Sequence, residues 1–577
     1  MKTLALLTAL AALVPQAAGA VGPAPQPSPP QAGPHVQVLP VPADLDALDA
    51  LDRAASDRTP GTSSAGSPDS AAADDRLRVA ARVRPCAAQP PAPVRDGEPI
   101  VVQLAPGTPF TIGAIGRGFW DKPQVSDPTW QLWLYSLRWI GPLVRSAVEG
   151  KQEQARERLV AQVLRFYRDH PDSGRPTSGW DEGSSLRRLE TLNCLYRMTT
   201  DQRLVAPMTT EVTLLFGPRY YGPPHHAVHN HGLMANLRIV EAGRLVGRTD
   251  WATRAGARIR SEAGLAFTPL GTSYEQSSGY QGINAQLWDD AARTLAELEP
   301  ADPVVAAITR TVARARGVAE WLTEPDGRIV QIGDSAANPG FQAPQRTDVG
   351  PLRDDVAGLV VGRWSWKDPA TTYYTLRYGP PRRAHGHHDK ASVTWSTAGT
   401  RVLVGSGYFG YEASDRFVQY QKTPESSNVA LPVGAKLRTT QGARVTRSIV
   451  RGTRHRWWLS DTVFGRSHGR SVDVDQAART LTVSDAFAGK GAADQIWHLD
   501  PAWQAVSVPA KAKALVFRHR DGRELRIRTT GTLVSAVKGA TQPVAGWTFP
   551  QPRSRVAAWQ LRIRWSAGTA TTTFTVR

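Results

Sequence analysis

Cysteine is scarce, with only Cys86 and Cys194 in 577 residues. A scaffold stapled by several disulfides is therefore excluded. At most one bridge can form, and the sequence leaves open whether the two Cα atoms come close enough. Read alone, Cys194 lies in the apolar stretch Leu192 to Met198 and behaves as a small buried hydrophobe. Long apolar runs are equally rare. After Leu4 to Val14 no stretch approaches the ~20 apolar residues of a membrane-crossing helix, so no membrane insertion is expected. Lys2 ahead of that run and Ala18-Gly19-Ala20 behind it complete a secretory signal over residues 1–20, which predicts a protein secreted to the cell exterior or surface. Neither cysteine closely follows the signal, so lipidation is not indicated. Aromatic residues are almost missing from Val21 to Pro90, where Pro, Ala, Ser, Gly and Asp dominate, as in Pro23-Ala24-Pro25-Gln26-Pro27. Such a composition buries too little apolar area to offset chain entropy. Residues 21–100 are read as a disordered segment with one short helix around Leu45 to Ala54.

Acidic residues are outnumbered, 51 against 69 Lys and Arg, for a formal charge of +18. The excess favours an anionic partner, although a GC-rich genome inflates arginine without one. The basic residues are spread along the chain, and no zinc-finger, helix-turn-helix or RNA-binding signature is present, so nucleic acid is not expected. An acidic polysaccharide outside the cell fits both the charge and the export signal.

Two textures fill the rest. From about residue 105 to 340, apolar residues recur at three and four. This predicts helices over Trp130 to Ile140, Ala155 to Tyr167, Ser185 to Met198, Gly232 to Leu245, Trp251 to Glu262, Tyr280 to Leu298 and Pro303 to Leu322. Seven or so paired helices point to an incomplete α/α toroid. From about 345 to 577 the runs become short, alternating and β-branched, as in Thr371 to Tyr378, Arg444 to Val450 and Ala570 to Val576. Turn residues separate them every ~8–12 positions, which predicts a large antiparallel β-sandwich. Ten of the eighteen tryptophans lie in this half, and most are expected in its core.

Seven of the thirteen histidines crowd two windows: His225, His226, His229 and His231, then His385, His387 and His388. Histidine clusters serve acid/base work or metal binding. Around them stand five local patterns: Ala227-Val228-His229-Asn230-His231-Gly232; Gly271-Thr272-Ser273-Tyr274-Glu275-Gln276-Ser277-Ser278-Gly279-Tyr280; Pro325-Asp326-Gly327 with Ile332-Gly333-Asp334-Ser335; Ala357 to Trp364; and Ala384-His385-Gly386-His387-His388-Asp389. In order and spacing, over roughly residues 120 to 435, they resemble the heparinase II/III-like polysaccharide lyases. The resemblance implies a toroid joined to a sandwich, an active cleft between them, and cleavage of a uronate-containing polysaccharide by β-elimination to leave 4,5-unsaturated ends. It implies catalytic roles for Asn230, His231, Tyr280 and His385.

The chemistry suits those residue types. The uronate C5 proton is too weakly acidic while the neighbouring carboxylate is charged, so that charge must be neutralised first. Asn230 supplies an amide donor and His385, if protonated, a charged one. Tyr280 protonates the departing O4 and, in a syn reaction, also takes the C5 proton; His231 is the base of an anti reaction. Tyr274, Glu275, His229, Arg187 and Arg188 are candidate substrate contacts, the arginines because guanidinium pairs bidentately with carboxylate or sulfate. Asn230 also fits a helix N-cap, Tyr280 a buried aromatic, and one of the two arginines a solvated helix charge. Some relatives bind a structural zinc through the second His of the "HxHxD" element, an Asp and a later His. Here His387 would be one ligand, but Gly405 and Ser427 stand at the other positions, so no zinc and no other cofactor is expected. The different-class alternative is a glycan-binding protein that keeps the groove without turnover.

Overall fold

The computed structural model describes residues 36–40, 92–221 and 230–577. The signal segment, the expected helix at Leu45 to Ala54, Cys86 and His225, His226 and His229 lie outside the described residues.

Among the described residues ten helices fill the first half: α1 Arg117–Asp121, α2 Pro128–Tyr135, α3 Ile140–Glu149, α4 Glu153–Asp169, α5 Glu182–Thr199, α6 Val205–Phe216, α7 Asn230–Leu245, α8 Thr249–Glu262, α9 Ser278–Leu298 and α10 Pro303–Trp321. They pack in succession, α3 on α4, α5 on α6 and α7, α7 on α8, and α9 on α10, as an incomplete α/α toroid. Their starts follow local chemistry. Asp127, Asp181, Ser277 and Asp302 each accept a backbone N–H of the first turn, and Pro128 and Pro303 open helices where a missing N–H costs nothing. The run Trp130 to Ile140 is not the single helix its periodicity suggests. Leu137 turns left-handed (φ 56°) between α2 and α3, and the buried Trp139 donates its indole N–H to the Leu134 carbonyl at 3.0 Å, closing α2. Cys194 is buried on α5 and disulfide-bonded.

Part of the segment expected to be disordered is built into the fold. Val36–Pro40 pairs in parallel with Val101–Ala105. Gln37 and Leu39 are buried, and the Gln37 side chain exchanges two hydrogen bonds with the backbone of Ala92, at 2.9 and 3.0 Å. Four alternating residues were too short a signal amid the surrounding prolines.

After residue 350 every pairing between named strands is antiparallel. Five strands from Gly350–Asp354 to Thr400–Leu403 form a meander. An eight-stranded sheet, a four-stranded sheet and two short two-stranded ribbons make up the rest of this half. Trp395, Trp457, Trp497 and Trp503 are fully buried in their common core, so these tryptophans are not groove-lining. A separate apolar cluster joins the halves: Val318, Trp321 and Leu322 at the end of α10 pack with Ile332, Leu359, Val361 and Tyr373. The Tyr373 hydroxyl donates to the Trp321 carbonyl at 3.0 Å, and Thr268 reaches the buried Asp354 at 2.5 Å. The toroid and sandwich are thereby fixed along one seam, and that seam carries the histidines.

Candidate active site

Three segments distant in sequence meet at the seam. The turn Thr272 to Ser277 leads into α9. Its Ser277 accepts the Tyr280 N–H at 3.3 Å as N-cap and donates its hydroxyl to the Asp334 carbonyl at 2.8 Å. The 332–335 turn then meets the His385 loop, where the Asp334 N–H donates to the His385 carbonyl at 2.8 Å. The approach is too close for a side chain at Gly333, whose Cβ would stand 2.5 Å from the His385 oxygen. Gln276, left-handed at φ 61°, donates to the Pro381 carbonyl at 2.9 Å and accepts from the Arg383 N–H, also at 2.9 Å. Ala384, next to His385, is left-handed as well (φ 36°). Such backbone costs ~1–3 kcal/mol per residue and persists where surrounding contacts hold it.

The side chains converge. The His385 ring lies flat against the Tyr280 ring, centroids 3.5 Å apart and planes 7° from parallel. Tyr411 bridges them, its hydroxyl 3.0 Å from the Tyr280 hydroxyl and 3.0 Å from His385 Nδ1. Asp334 takes His385 Nδ1 at 3.0 Å on one oxygen and His387 Nε2 at 2.8 Å on the other. Burial alone would raise the Asp334 carboxyl, but the hydrogen bonds and charges of the two histidines outweigh it and hold it well below the usual carboxylate range. On the far side of the ring, His385 Nε2 stands 3.6 Å from Glu275. A carboxyl at each ring nitrogen favours the imidazolium.

Glu275 is buried, which raises its carboxyl pKa against the opposing effects of His385, Asn284 and the Asn230 N–H. It accepts that N–H at 3.0 Å and so ties the start of α7 to the site. The Asn230 side chain is buried, and its amide nitrogen and oxygen have no hydrogen-bond partner among the described residues. It therefore makes no capping bond there, and a buried bare amide calls for a ligand group. His231, next on the helix, is lowered to about 4, first by burial and then by the nearby charge of Arg187, so it is neutral at pH 7.

The expected substrate arginines are placed differently. Arg188 has no exposed surface. Its guanidinium is 2.6 Å from Glu211 and donates at 2.8 Å to the carbonyls of both Tyr135 and Gly179, over the faces of Phe166 and Trp180. It is a core ion pair of the toroid, with both partners fully buried. Arg187 is also fully buried and donates to the Gly183 carbonyl at 3.2 Å, so it acts on the site through its charge on His231. Tyr274 is half-buried, and the exposed Arg383 guanidinium sits 5.7 Å from its ring centre. Sequence reasoning missed Tyr411, Asp334 and Arg383. The aromatic run Tyr408-Phe409-Gly410-Tyr411 and the Gly-Asp-Ser triplet were signals for the first two.

A zinc site does not fit these residues. His387 Nε2 is engaged by Asp334, and Gly405 offers no ligand. Nor can an aspartate replace Gly405 on this backbone, because its Cβ would stand 2.1 Å from the Gln331 oxygen.

Residues 351–575 match the family model described as heparinase II/III-like, C-terminal. No curated protein matches the chain. Among solved structures, a heparan sulfate lyase HepC mutant from Pedobacter heparinus is 14% identical with a TM-score of 0.60, covering 92% of this chain and 88% of its own. A heparinase III is 13% identical at TM-score 0.67, covering 81% and 80%. A chondroitin AC lyase of Streptomyces coelicolor A3, in complex with chondroitin sulphate, is 12% identical at 0.51, covering 92% and 82%. These likenesses establish a shared toroid-and-sandwich fold. Residues 351–575 thus carry a heparinase II/III-like C-terminal domain, within a chain whose overall fold is that of these lyases.

Proposed function

We propose that the chain is an exported polysaccharide lyase that breaks a uronate-containing glycan by β-elimination. The observation that carries this reading is the contact of Tyr280 with His385 and Tyr411, which sets a phenol, an imidazole held between carboxyls and a second phenol around one point. In this reading the uronate carboxylate enters beside the bare Asn230 amide and the His385 ring. Their hydrogen bonds and charge neutralise it, so the C5 carbanion can be delocalised as an enediolate. Tyr280 transfers a proton to the leaving O4. The positive charge stacked on its ring stabilises the phenolate left behind, and Tyr411 stabilises it further with a hydrogen bond. His231 is already unprotonated and accepts the C5 proton when that proton faces α7; the arriving carboxylate offsets Arg187 and strengthens it as a base. When the proton faces Tyr280, the phenolate does both jobs. Arg383, exposed over Tyr274, is the arginine placed to meet an acidic group of the glycan.

Residues 1–20 as an export signal and the net charge of +18 support action on an acidic polymer outside the cell. The test is to incubate the purified protein with a panel of uronate polymers and follow the ultraviolet absorbance of the 4,5-unsaturated uronate. Product from at least one polymer, lost in Tyr280→Phe, is expected. Binding to the polymers without product, unaltered by Tyr280→Phe, would instead establish a glycan-binding protein.

A further inference from the structure

We infer that a basic pocket on the sandwich side of the His385 loop is an oxyanion site, built to receive one sulfate or carboxylate group. Arg382, His388, Lys390, Arg438 and Gln441 line it, over an apolar floor that includes Val429, Val463 and Phe464. Lys390 is nine-tenths buried, and its ammonium nitrogen has no hydrogen-bond partner among the described residues. That is a costly arrangement for an amine unless a ligand completes it.

The charge balance points the same way. Lys390 is faced by the guanidiniums of Arg377 and Arg382 and by a single carboxylate, Asp389. Among the described residues no carboxylate pairs with Arg377, Arg382, Lys390 or Arg438. Arg382 spends its donors on carbonyls, Gly386 at 2.6 Å and Ala384 at 3.0 Å, and Arg377 likewise on Ala357 and Gly358, both at 2.9 Å. Buried cations in excess, over an apolar floor that weakens screening, hold an anion more strongly than the same groups on open surface. Without a counter-ion the excess is relieved at the amine. Burial first and then Arg377 push Lys390 down to about 7, and burial also lowers His388. An entering oxyanion reverses both effects and draws in protons.

The pocket is not the elimination site, whose groups lie around Tyr280. It touches that site through Arg382, which braces the turn carrying His385. The acidic group is either a free ion or part of a glycan, and only the second source rests on the function proposed above.

The experiment is calorimetric titration of the full chain with inorganic sulfate, against chloride at matched ionic strength, in two buffers of different protonation heat at pH 8. Saturable sulfate binding with net proton uptake is expected. Lys390→Met and Arg438→Gln should each weaken it at least about tenfold, the loss of one charge-assisted bond. Arg438 is exposed, so its variant keeps the fold even if Lys390→Met does not. Sulfate heats no larger than those of chloride, or affinity unchanged in Arg438→Gln, would overturn the inference. A sulfated oligosaccharide that displaces the ion would show that the group arrives on a glycan, and an ion that stays bound would identify it as free; both support the site. No turnover is measured, so failure here leaves the elimination reading standing, and failure of that reading leaves this test intact.

Discussion

Asp334→Asn isolates what the carboxylate behind His385 contributes. Asp334 offers one oxygen to His385 at 3.0 Å and the other to His387 at 2.8 Å. Asparagine has a single acceptor oxygen, so one imidazole must face an amide N–H₂ in a buried place. One charge-assisted bond is lost, worth ~1.5–3 kcal/mol. If the lost bond is that of His385, ~2 kcal/mol of transition-state stabilisation disappears, about 30-fold in kcat. The imidazolium also loses its charged partner, so the alkaline limb of the pH–rate profile moves to lower pH. Stability responds with the opposite pH sense. The Asp334 carboxyl is held below its unfolded value, so its contribution is fully present above pH ~4 and fades as pH falls through and below that value. The variant should therefore differ most from the parent near neutrality and converge with it in acid. The assays are initial rates by unsaturated-uronate absorbance over pH, and denaturant melts at two pH values. A variant within about threefold of the parent in kcat, with an unmoved profile and an intact fold, would refute a role for this carboxylate in holding His385.

Tyr280→Phe keeps the stack on His385 and removes only the hydroxyl, so activity should fall ~10²–10⁴-fold with unchanged melting, whereas Tyr411→Phe should cost about tenfold. Equal small losses in both would remove Tyr280 from the chemistry. Arg188→Met leaves Glu211 buried without its cation and should destabilise the chain by ~3–5 kcal/mol; a raised KM in a fully stable variant would restore the substrate-contact reading. His468 is lowered by burial but raised more by Asp461 at 2.7 Å and Asp485 at 2.8 Å, for a net upward shift. Its contribution is complete below pH ~6.5 and lost as pH rises through its folded value. Denaturant melts of the parent should weaken across that range, and those of His468→Gln should lack this component.

The fold class was legible because helical and strand periods occupy different halves of the chain, and because the turn into α9 and the His385 loop are local motifs. What the sequence hid is long-range or depends on burial. Arg187 and Arg188 look alike on paper, two adjacent cations on an amphipathic stretch, and only the packing of α4 to α6 reveals that both are buried. The Trp130 to Ile140 run kept a helical period across a left-handed Leu137 because three-and-four spacing survives a one-residue break. Asp334 stood inside a quoted motif without a role, since its link to His385 and His387 spans more than fifty positions. Tyr411 carries no local signature beyond its aromatic neighbours.

That long-range character explains why the seam is so heavily tied. His385 gains its orientation from Asp334, Asp334 from Ser277, and Ser277 also caps the helix that carries Tyr280. One hydroxyl thus sets the relative position of an acid from the toroid and an imidazole from the sandwich, with Gly333 allowing the backbones to close. Reactive groups must be held to within a fraction of an ångström for proton transfer, and two separately folded layers do not achieve that by apolar packing alone. The left-handed Gln276 and Ala384 lie where this constraint is tightest. Loosening the seam at Ser277 should then lower turnover while leaving each half folded, a loss of alignment rather than of any group that touches the substrate.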